Sequence, residues 1–234
     1  MNLGKVFLLP MLLHEEGWEA IPGDAQKWIA QCDAFFVENE KTARRFFKKL
    51  WKEMVIDNYA WYTIHKAEEE QIKIFSELLN QGKNIGIISE AGCAGIADPG
   101  QILVAAAQKL GVTVKPYTAP SSILLALMAS GMNGQHFQFH GYLPIDNTER
   151  KKKIQSLEAN TNTTGCTQLF IETPYRNNQL LDALIQCCHP TTRIAIGIDI
   201  TGPNEMIKTA PISYWKNNKP ELHKKLAIFL MGNS

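Results

Sequence analysis

The sequence predicts an α/β fold with mainly parallel strands, and three features of the chain support this prediction. The run at 85–88 is short and continuously apolar, as expected for a strand that is buried on both faces of a parallel sheet. Longer stretches such as 40–51 and 67–81 have the spacing of amphipathic helices and alternate with such runs. Glycine and proline separate these elements. A chain of 234 residues can form one large domain or two small ones.

The alternation of strands and helices occurs twice along the chain. In the first half we expect strands at 5–10, 34–38, 85–88 and 112–114, and helices at 24–32, 40–51 and 67–81 and from Asp98 and Ser122 onwards. In the second half we expect strands at 137–142, 168–171, 193–200 and 227–231, helices at 148–159 and 177–188, and a polar loop at 160–165. We therefore predict two domains, at residues 1–118 and 119–234.

The segment from residue 84 to residue 131 has the features of a ligand site. Its first strand leads into a loop of small residues, in which Gly92 and Gly95 lack the Cβ that would keep a ligand away from the backbone. We predict that Asp98 caps the next helix and that Ser121 precedes another. Helix N-termini at the carboxyl ends of adjacent parallel strands commonly bind ligands. A loop that serves packing alone is the alternative.

Composition excludes several classes of protein. The 24 basic and 23 acidic residues give a net charge of +1, so any nucleic-acid surface must be local. Five cysteines without a C-x-x-C pair favour a reducing compartment over a disulfide framework or a zinc site, and we interpret Cys93 as a small apolar residue rather than a nucleophile. From the composition of the chain we expect neither a signal peptide nor a membrane-spanning run. We expect a cytoplasmic protein with no metal.

Basic residues concentrate in two predicted helices. Residues 40–52 combine Arg44, Arg45 and four lysines with apolar positions at helical spacing, and Lys151 and Lys152 lie in the densest run of charge. Each cluster has two interpretations, a solvated helix face or a surface that contacts RNA phosphates.

Three motifs resemble those of a known family. Residues 89–100, SEAGCAGIADPG, are similar to the S-D-A-G-T-P-x-I-S-D-P-G motif of the small-subunit ribosomal RNA 2′-O-methyltransferases in the tetrapyrrole methylase superfamily. Residues 118–131, TAPSSILLALMASG, resemble that family's P-G-P-S-A-x-x-x-A-L-x-x-S-G segment, and residues 137–144, FQFHGYLP, resemble its F-x-F-x-G-F-L-P. The family's T-P-I-G-N loop is replaced here by Leu9–Leu13, in which Pro10 alone is retained.

The resemblance implies two αβα domains, the first with a mainly parallel sheet and the second with a mixed one. It also implies a cleft between them that holds S-adenosylmethionine, a homodimer, and 2′-O-methylation of ribosomal RNA. Because the cofactor carboxylate suits free backbone N–H groups, we expect cofactor contacts mostly through the backbone. The candidate residues are Pro10, Ala91, Gly92, Ala97, Ser121 and Ser122. The candidate substrate-binding residues are Arg44, Arg45, Lys151, Lys152 and Arg176.

A ribose hydroxyl acceptor benefits from a group that removes its proton during methyl transfer. Glu38, Glu90 and Glu172 lie at predicted strand ends, and we rank Glu38 and Glu172 first because both match the family. Each is equally well explained as a cap or an ion-pair partner, for instance with Arg176. His65 is a weaker catalytic candidate.

Three functions therefore remain open: an RNA methyltransferase, a small-molecule methyltransferase of the same superfamily, and a non-catalytic protein that has kept the fold. The motifs and both basic clusters favour the first. The altered Leu9–Leu13 loop is what keeps the third open.

Overall fold

A computed structural model describes residues 3–64 and 68–233, and the chain forms two compact units, Met1–Ser121 and Ser122–Ser234. Both units are α/β, as the sequence predicts. Within the described ranges, no helix has both the length and the apolar composition needed to cross a membrane.

The first unit contains a five-stranded parallel sheet. Its strands in chain order are β1 (Val6–Leu8), β3 (Ala34–Val37), β4 (Ala60–Thr63), β5 (Ile85–Ile88) and β7 (Val114–Pro116), and they lie side by side in the order β4-β3-β5-β1-β7. Every neighbouring pair is parallel. All strands therefore end at the same edge of the sheet, where α/β proteins place their ligand sites.

Helices cover both faces of this sheet. They are α1 (Ala25–Ile29), α2 (Glu40–Leu50), α3 (Glu68–Asn80) and α4 (Gln101–Lys109). Alternate residues of β3 pack in hydrophobic cores on opposite faces of the sheet. Phe35 and Val37 pack with Phe46 and Phe47 of α2, whereas Phe36 packs with α3 and α4 residues on the opposite face. The continuous hydrophobicity of the strands follows from this double burial.

A short two-stranded ribbon lies at the carboxyl edge of the sheet. Its strands are β2 (Pro10–Met11) and β6 (Gly92–Cys93), which pair antiparallel. The loop after β1 is thereby joined to the loop after β5.

The second unit contains a mixed five-stranded sheet. Its strands are β8 (Phe137–Tyr142), β9 (Thr167–Ile171), β10 (Arg193–Ile198), β11 (Met206–Pro211) and β12 (Ala227–Gly232), in the order β11-β10-β12-β9-β8. Only the β8–β9 pair is parallel. The predicted combination of a parallel first sheet and a mixed second sheet is confirmed.

Four helices pack on this second sheet. They are α5 (Ser122–Ser130), α6 (Asn147–Thr164), α7 (Asn177–Cys187) and α8 (Ile212–Asn217). The helices α6, α7 and α8 share a core with one face, around Phe170, Phe229 and Trp215. The helix α5 contacts β10, β11 and β12.

Two predictions of local structure are wrong. The helix α4 begins at Gln101 rather than at Asp98, because Gly100 occupies the N-cap with a φ of 116° and the Gly95 N–H donates to the Pro99 carbonyl in a turn before it. Residues 160–164, predicted as a loop, continue α6. Thr163 and Thr164 donate their hydroxyls to carbonyls four residues earlier, and the helix ends at Gly165 with a φ of 69°.

Other differences concern strands. The predicted strand at 112–114 lies at Val114–Pro116, and the sequence prediction missed β2, β4, β6, β11 and the short helix α8. The strands β2 and β6 have two residues each, which is too short for a recognisable period.

Candidate functional site

The loop that follows β5 has an unusual backbone. Between residues 92 and 100 it takes a positive φ four times, at Gly92 (64°), Gly95 (78°), Ala97 (62°) and Gly100 (116°). Glycine adopts this conformation readily, but alanine pays a steric penalty because its Cβ approaches the following carbonyl. Strain of this kind is concentrated at functional sites, and here it lies in the loop that the sequence assigns to a ligand.

Gly92 is required by the packing of the chain against itself. A Cβ at this position would lie 2.8 Å from the Pro120 carbonyl oxygen and 3.1 Å from the Leu13 side chain. Cys93, the next residue, directs its thiol toward the carbonyls of Ala119 and Pro120 at 3.7 Å. The loop after β5 therefore packs directly on the segment 119–120, which belongs to the second of the three motifs.

Residues of both segments contribute to the lining of a cavity of about 350 Å³ within the first unit. The carboxyl ends of β1 and β7, the loop after β5 and the first turns of α4 line it. Its walls are mainly apolar, and its lining residues include Cys93, Ala94, Ile96, Gln101, Val104, Tyr117 and Ala119. The volume lies at the lower end of the range for small-molecule sites.

Aromatic rings support one wall of this cavity. Tyr117 stacks on Trp28 with the ring centroids 4.0 Å apart and on Phe7 at 5.8 Å. Since stacked rings have little conformational freedom, the Tyr117 wall is held in place before any ligand arrives.

Three carboxylates influence one another at this edge of the sheet: Glu38 follows β3, and Glu90 and Asp98 lie in the loop after β5. Glu38 accepts the backbone N–H of Glu90 at 2.9 Å through Oε2, and the Thr42 hydroxyl donates to Glu90 Oε1 at 3.3 Å. Burial raises the pKa of the Asp98 carboxyl to about 6, and the charges of Glu38 and Glu90 contribute, whereas a hydrogen bond from Ser89 opposes the shift. The same desolvation and the Asp98 charge raise the pKa of the Cys93 thiol, which supports its interpretation as an apolar residue.

None of the predicted cofactor residues lines this cavity. Ala91 and Gly92 precede Cys93 in the loop, Ala97 follows Ile96 and is exposed, and Pro10 is buried in the β2–β6 ribbon. Ser121 ends the first unit and Ser122 begins α5. Ala91, Gly92 and Ala97 thus share the loop after β5 with lining residues of the cavity, whereas the lining residues Cys93, Ala94, Ile96 and Tyr117 were not among the predicted ones. Most of these lining residues adjoin predicted residues in the sequence, and this proximity was the available signal for finding them.

The second predicted catalytic residue is engaged in an ion pair. Glu172 is 5% exposed, and its Oε1 accepts from Arg176 Nε at 3.0 Å and Nη2 at 2.7 Å and from the Thr173 N–H at 2.6 Å. The alternative of a structural pair with Arg176 therefore matches the geometry. Its other oxygen, Oε2, is buried and has no partner among the described residues.

The predicted basic clusters differ in structure. In α2, Arg45 is exposed, and Arg44 pairs with Glu40 at 2.7 Å. In α6, Lys151 and Lys152 are exposed and Lys152 pairs with Glu149 at 2.9 Å. Arg150 is buried, at 5% exposure, and donates to the Ile145 carbonyl. The run 150–153 is therefore not one continuous basic surface.

Two further expectations concern His65 and the absence of a metal. His65 lies outside the described residues. Among the residues that the structure describes, no group of three or more His, Cys, Asp or Glu side chains is arranged to hold a metal ion.

The architecture matches that of tetrapyrrole methyltransferases. The crystal structure of the methyltransferase CobJ has a TM-score of 0.63 to this chain at 15% identity, with 99% of this chain and 95% of that chain covered. The uroporphyrin-III-C-methyltransferase of Thermus thermophilus has a TM-score of 0.56 at 15% identity, with 99% and 93% covered. At these identities the likeness concerns the fold.

Sequence comparison identifies the family. Residues 17–214 match the Tetrapyrrole (Corrin/Porphyrin) Methylases, and the chain belongs to this family, as the motif resemblance predicted. Among curated proteins it is similar to the ribosomal RNA small subunit methyltransferase I of Mesorhizobium japonicum, at 32% identity over 64% of this chain and 50% of that protein. The ribosomal RNA small subunit methyltransferase I of Halalkalibacterium halodurans is 36% identical over 53% of this chain and 41% of that protein. The chain spans about half the length of the curated relatives it matches.

The positive φ of Ala97 gives a first prediction. Because glycine relieves the steric penalty at an exposed site, Ala97→Gly raises the free energy of unfolding by about 0.5–1 kcal/mol. The same substitution at exposed Ala105 within α4 lowers it by about 1 kcal/mol, since glycine weakens a helix interior. Urea denaturation of both variants measures the difference, and a loss of stability in Ala97→Gly contradicts the account.

The raised pKa of Asp98 gives a second prediction. The folded protein binds this proton more tightly than the unfolded chain, so the stabilisation is present below the unfolded pKa of about 3.8 and is lost as the pH rises through about 6. Asp98→Asn removes the buried charge and is expected to raise the melting temperature more at about pH 8 than at about pH 5. Exposed Asp57→Asn is the control. An equal change at both pH values contradicts the prediction.

Proposed function

We propose that this protein is an S-adenosylmethionine-dependent methyltransferase that methylates a ribose 2′-hydroxyl of ribosomal RNA. The observation that carries the proposal is the cavity of about 350 Å³, whose lining includes four residues of the first motif and Ala119 of the second. The names of the curated relatives, ribosomal RNA small subunit methyltransferase I, support the RNA acceptor.

The cavity has the chemistry that part of the cofactor requires. Its apolar walls and the fixed Tyr117 ring suit a flat adenine, and Gln101 contributes an amide at one side. The loop between Gly92 and Gly100 takes a positive φ repeatedly, and its glycines let a ligand approach the backbone closely. The bound cofactor would supply a methyl group activated by its positive sulfur. Ala91, Gly92, Ala97, Pro10, Ser121 and Ser122 support this site through the backbone.

The remaining task of the chain is to align the acceptor and remove its proton. Alignment alone supplies much of the rate in a displacement of this kind. Glu38 is our preferred base because it lies at the carboxyl edge of the sheet, half-buried and fixed by the Glu90 N–H. Glu172 is held by Arg176, and we assign to that pair the positioning of local structure rather than proton transfer.

The RNA acceptor is supported by the charge of α2, which carries Arg44 and Arg45, and by Lys151 and Lys152 on α6. Arg176 is partly exposed and remains a candidate contact. The five free cysteines favour a cytoplasmic location, where RNA is available.

The cofactor proposal is tested by isothermal titration calorimetry with S-adenosylmethionine. Val104 lines the cavity from α4. We expect Val104→Phe to fill the cavity and weaken cofactor affinity at least about tenfold, which corresponds to roughly 1.4 kcal/mol. Val104→Ala keeps the space and is the matched control, with affinity expected to change about threefold or less. Gly92→Trp is a poor probe, because the 2.8 Å approach to Pro120 predicts misfolding.

Wild-type protein that binds no cofactor at millimolar concentration would exclude both methyltransferase functions and leave the non-catalytic one. Equal binding by both Val104 variants would place the cofactor outside this cavity. Cofactor binding without any RNA binding would favour a small-molecule acceptor.

We also infer a homodimer formed through the second unit. The helix α5 exposes Leu124 (50%) and Met128 (77%) one turn apart, and β8 is an edge strand of the second sheet that exposes Tyr142 (60%). Apolar residues at such positions commonly meet a second copy across a two-fold axis.

Light scattering coupled to gel filtration tests this inference. Wild-type protein is expected to have the mass of a dimer, and Met128→Glu is expected to shift it toward the monomer because it buries a charge in the interface. The control is Ala105→Glu, at an exposed position of α4 in the first unit. A monomeric wild type contradicts the inference.

A further inference from the structure

The helix α2 is amphipathic, but its apolar face is fully used inside the protein. Ala43, Phe46 and Phe47 are buried in the core of the first unit. The helix therefore has no free apolar face for insertion into a membrane or into the groove of a partner. Its polar face alone is available for recognition.

That polar face carries a strong local charge. Residues 40–53 contain six lysines and arginines against two glutamates, a net charge of +4 in a chain whose net charge is +1. Lys41, Arg45 and Lys48 recur at spacings of four and three along the helix, and Lys52 follows shortly after the helix ends at Leu50. All four are exposed. Within the described part of the chain, Lys41, Arg45 and Lys52 form no ion pair, so their charges are available to an anion.

The flank of α2 that faces β4 presents a stacked cation. The Arg44 guanidinium lies over the Trp61 ring, 5.1 Å from its centroid, and is oriented by Glu40. Trp61 is itself fixed, because its indole N–H donates to the Ile56 carbonyl at 3.1 Å. The Arg44 side chain is 38% exposed, so part of this planar group is open to solvent.

The opposite flank repeats the arrangement. Lys49 Nζ lies 5.8 Å from the centroid of the Trp18 ring, and this ring stacks on buried Phe46 at 5.6 Å. Both tryptophans are only partly buried. Each side of the charged helix therefore carries an aromatic ring with a cation beside it, an arrangement that binds nucleobases by stacking and phosphates by charge.

The position of α2 relates this surface to the candidate site. Asn39 caps the helix by accepting the Thr42 N–H at 3.2 Å, and it directly follows Glu38. The helix extends about 16 Å from that point, which is enough for several nucleotides. An RNA strand lying along α2 would thus have one end beside Glu38, the proposed proton acceptor.

We propose that α2 with Trp18 and Trp61 is a binding platform for unpaired RNA. Lys41, Arg45 and Lys52 contact phosphates, and bases stack on the Arg44–Trp61 and Lys49–Trp18 pairs. This inference rests on the proposed function and specifies its substrate as unpaired rather than duplex RNA. In an A-form duplex the bases are stacked on one another, so a duplex would use the charges but not the rings.

The test uses fluorescence anisotropy with the full chain and no cofactor. The probe is a labelled RNA of about 12 nucleotides, offered unpaired or as a blunt duplex. We expect the unpaired probe to bind at least about tenfold more tightly than the duplex. Arg44→Lys keeps the charge but loses the planar group. This variant is expected to lower the affinity for unpaired RNA about fivefold to tenfold, with little effect on the affinity for the duplex.

Salt dependence separates phosphate contacts from stacking. Arg45→Ala is expected to reduce the slope of log affinity against log salt by about 0.7 for the unpaired probe, whereas Arg44→Lys leaves the slope unchanged. Lys109→Ala, at an exposed position of α4, is the control for a change of charge elsewhere in the first unit.

Each outcome decides a different point. Equal binding of both probes, or an unpaired-RNA affinity unchanged in Arg44→Lys, overturns the platform while leaving RNA methylation possible. If heparin displaces unpaired RNA as readily as it displaces the duplex, the surface is a general anion-binding surface, and this result also overturns the platform. No RNA binding by wild type overturns the platform and the RNA acceptor together, and calorimetry with S-adenosylmethionine then reports separately on the cofactor.

Discussion

The close approach of Gly92 to the Pro120 carbonyl is the contact on which the candidate site depends. It brings the loop after β5 against the segment that precedes α5, and a side chain at this position would meet the backbone at 2.8 Å. The β2–β6 ribbon holds the same loop from its other side through Pro10 and Cys93. The loop is thus fixed between two neighbours, which explains how it maintains the strained Ala97 backbone and an open cavity. Preorganisation of this kind reduces the free energy needed to order a site on binding.

The replaced Leu9–Leu13 loop acquires a physical meaning in this arrangement. Met11 is buried in the first-unit core, and Leu13 packs beside Gly92. Bulky side chains here therefore support the loop after β5 rather than filling the cavity, whose lining includes Leu9 but no residue from 10 to 13. The altered loop leaves the cavity open, which is compatible with the proposed cofactor site.

Much of the fold was predictable from the sequence because its elements have clear periods. The strands Ile85–Ile88 and Phe137–Tyr142 have the predicted bounds, and α2 differs by one residue. The site was predictable at the level of loops, through motifs and strand ends. Individual lining residues were not, because they depend on tertiary contacts between segments that are distant in sequence. The burial of Arg150 within a charged run and the raised pKa of Asp98 are further examples, since neither follows from local spacing. The Glu172–Arg176 pair was one of the alternatives that the sequence offered, and it forms across the turn between β9 and α7.

The most direct test of the central claim is methyl transfer itself. Wild-type protein would be incubated with S-adenosylmethionine tritiated on its methyl group and with small-subunit ribosomal RNA, both free and within the subunit. The RNA would then be hydrolysed in alkali, which cleaves every linkage except one whose 2′-hydroxyl is methylated. We expect tritium in an alkali-resistant dinucleotide from at least one of the two substrates. Label that never enters RNA, although the protein binds the cofactor, would contradict the proposed acceptor, and label in alkali-sensitive nucleotides would contradict the 2′-hydroxyl.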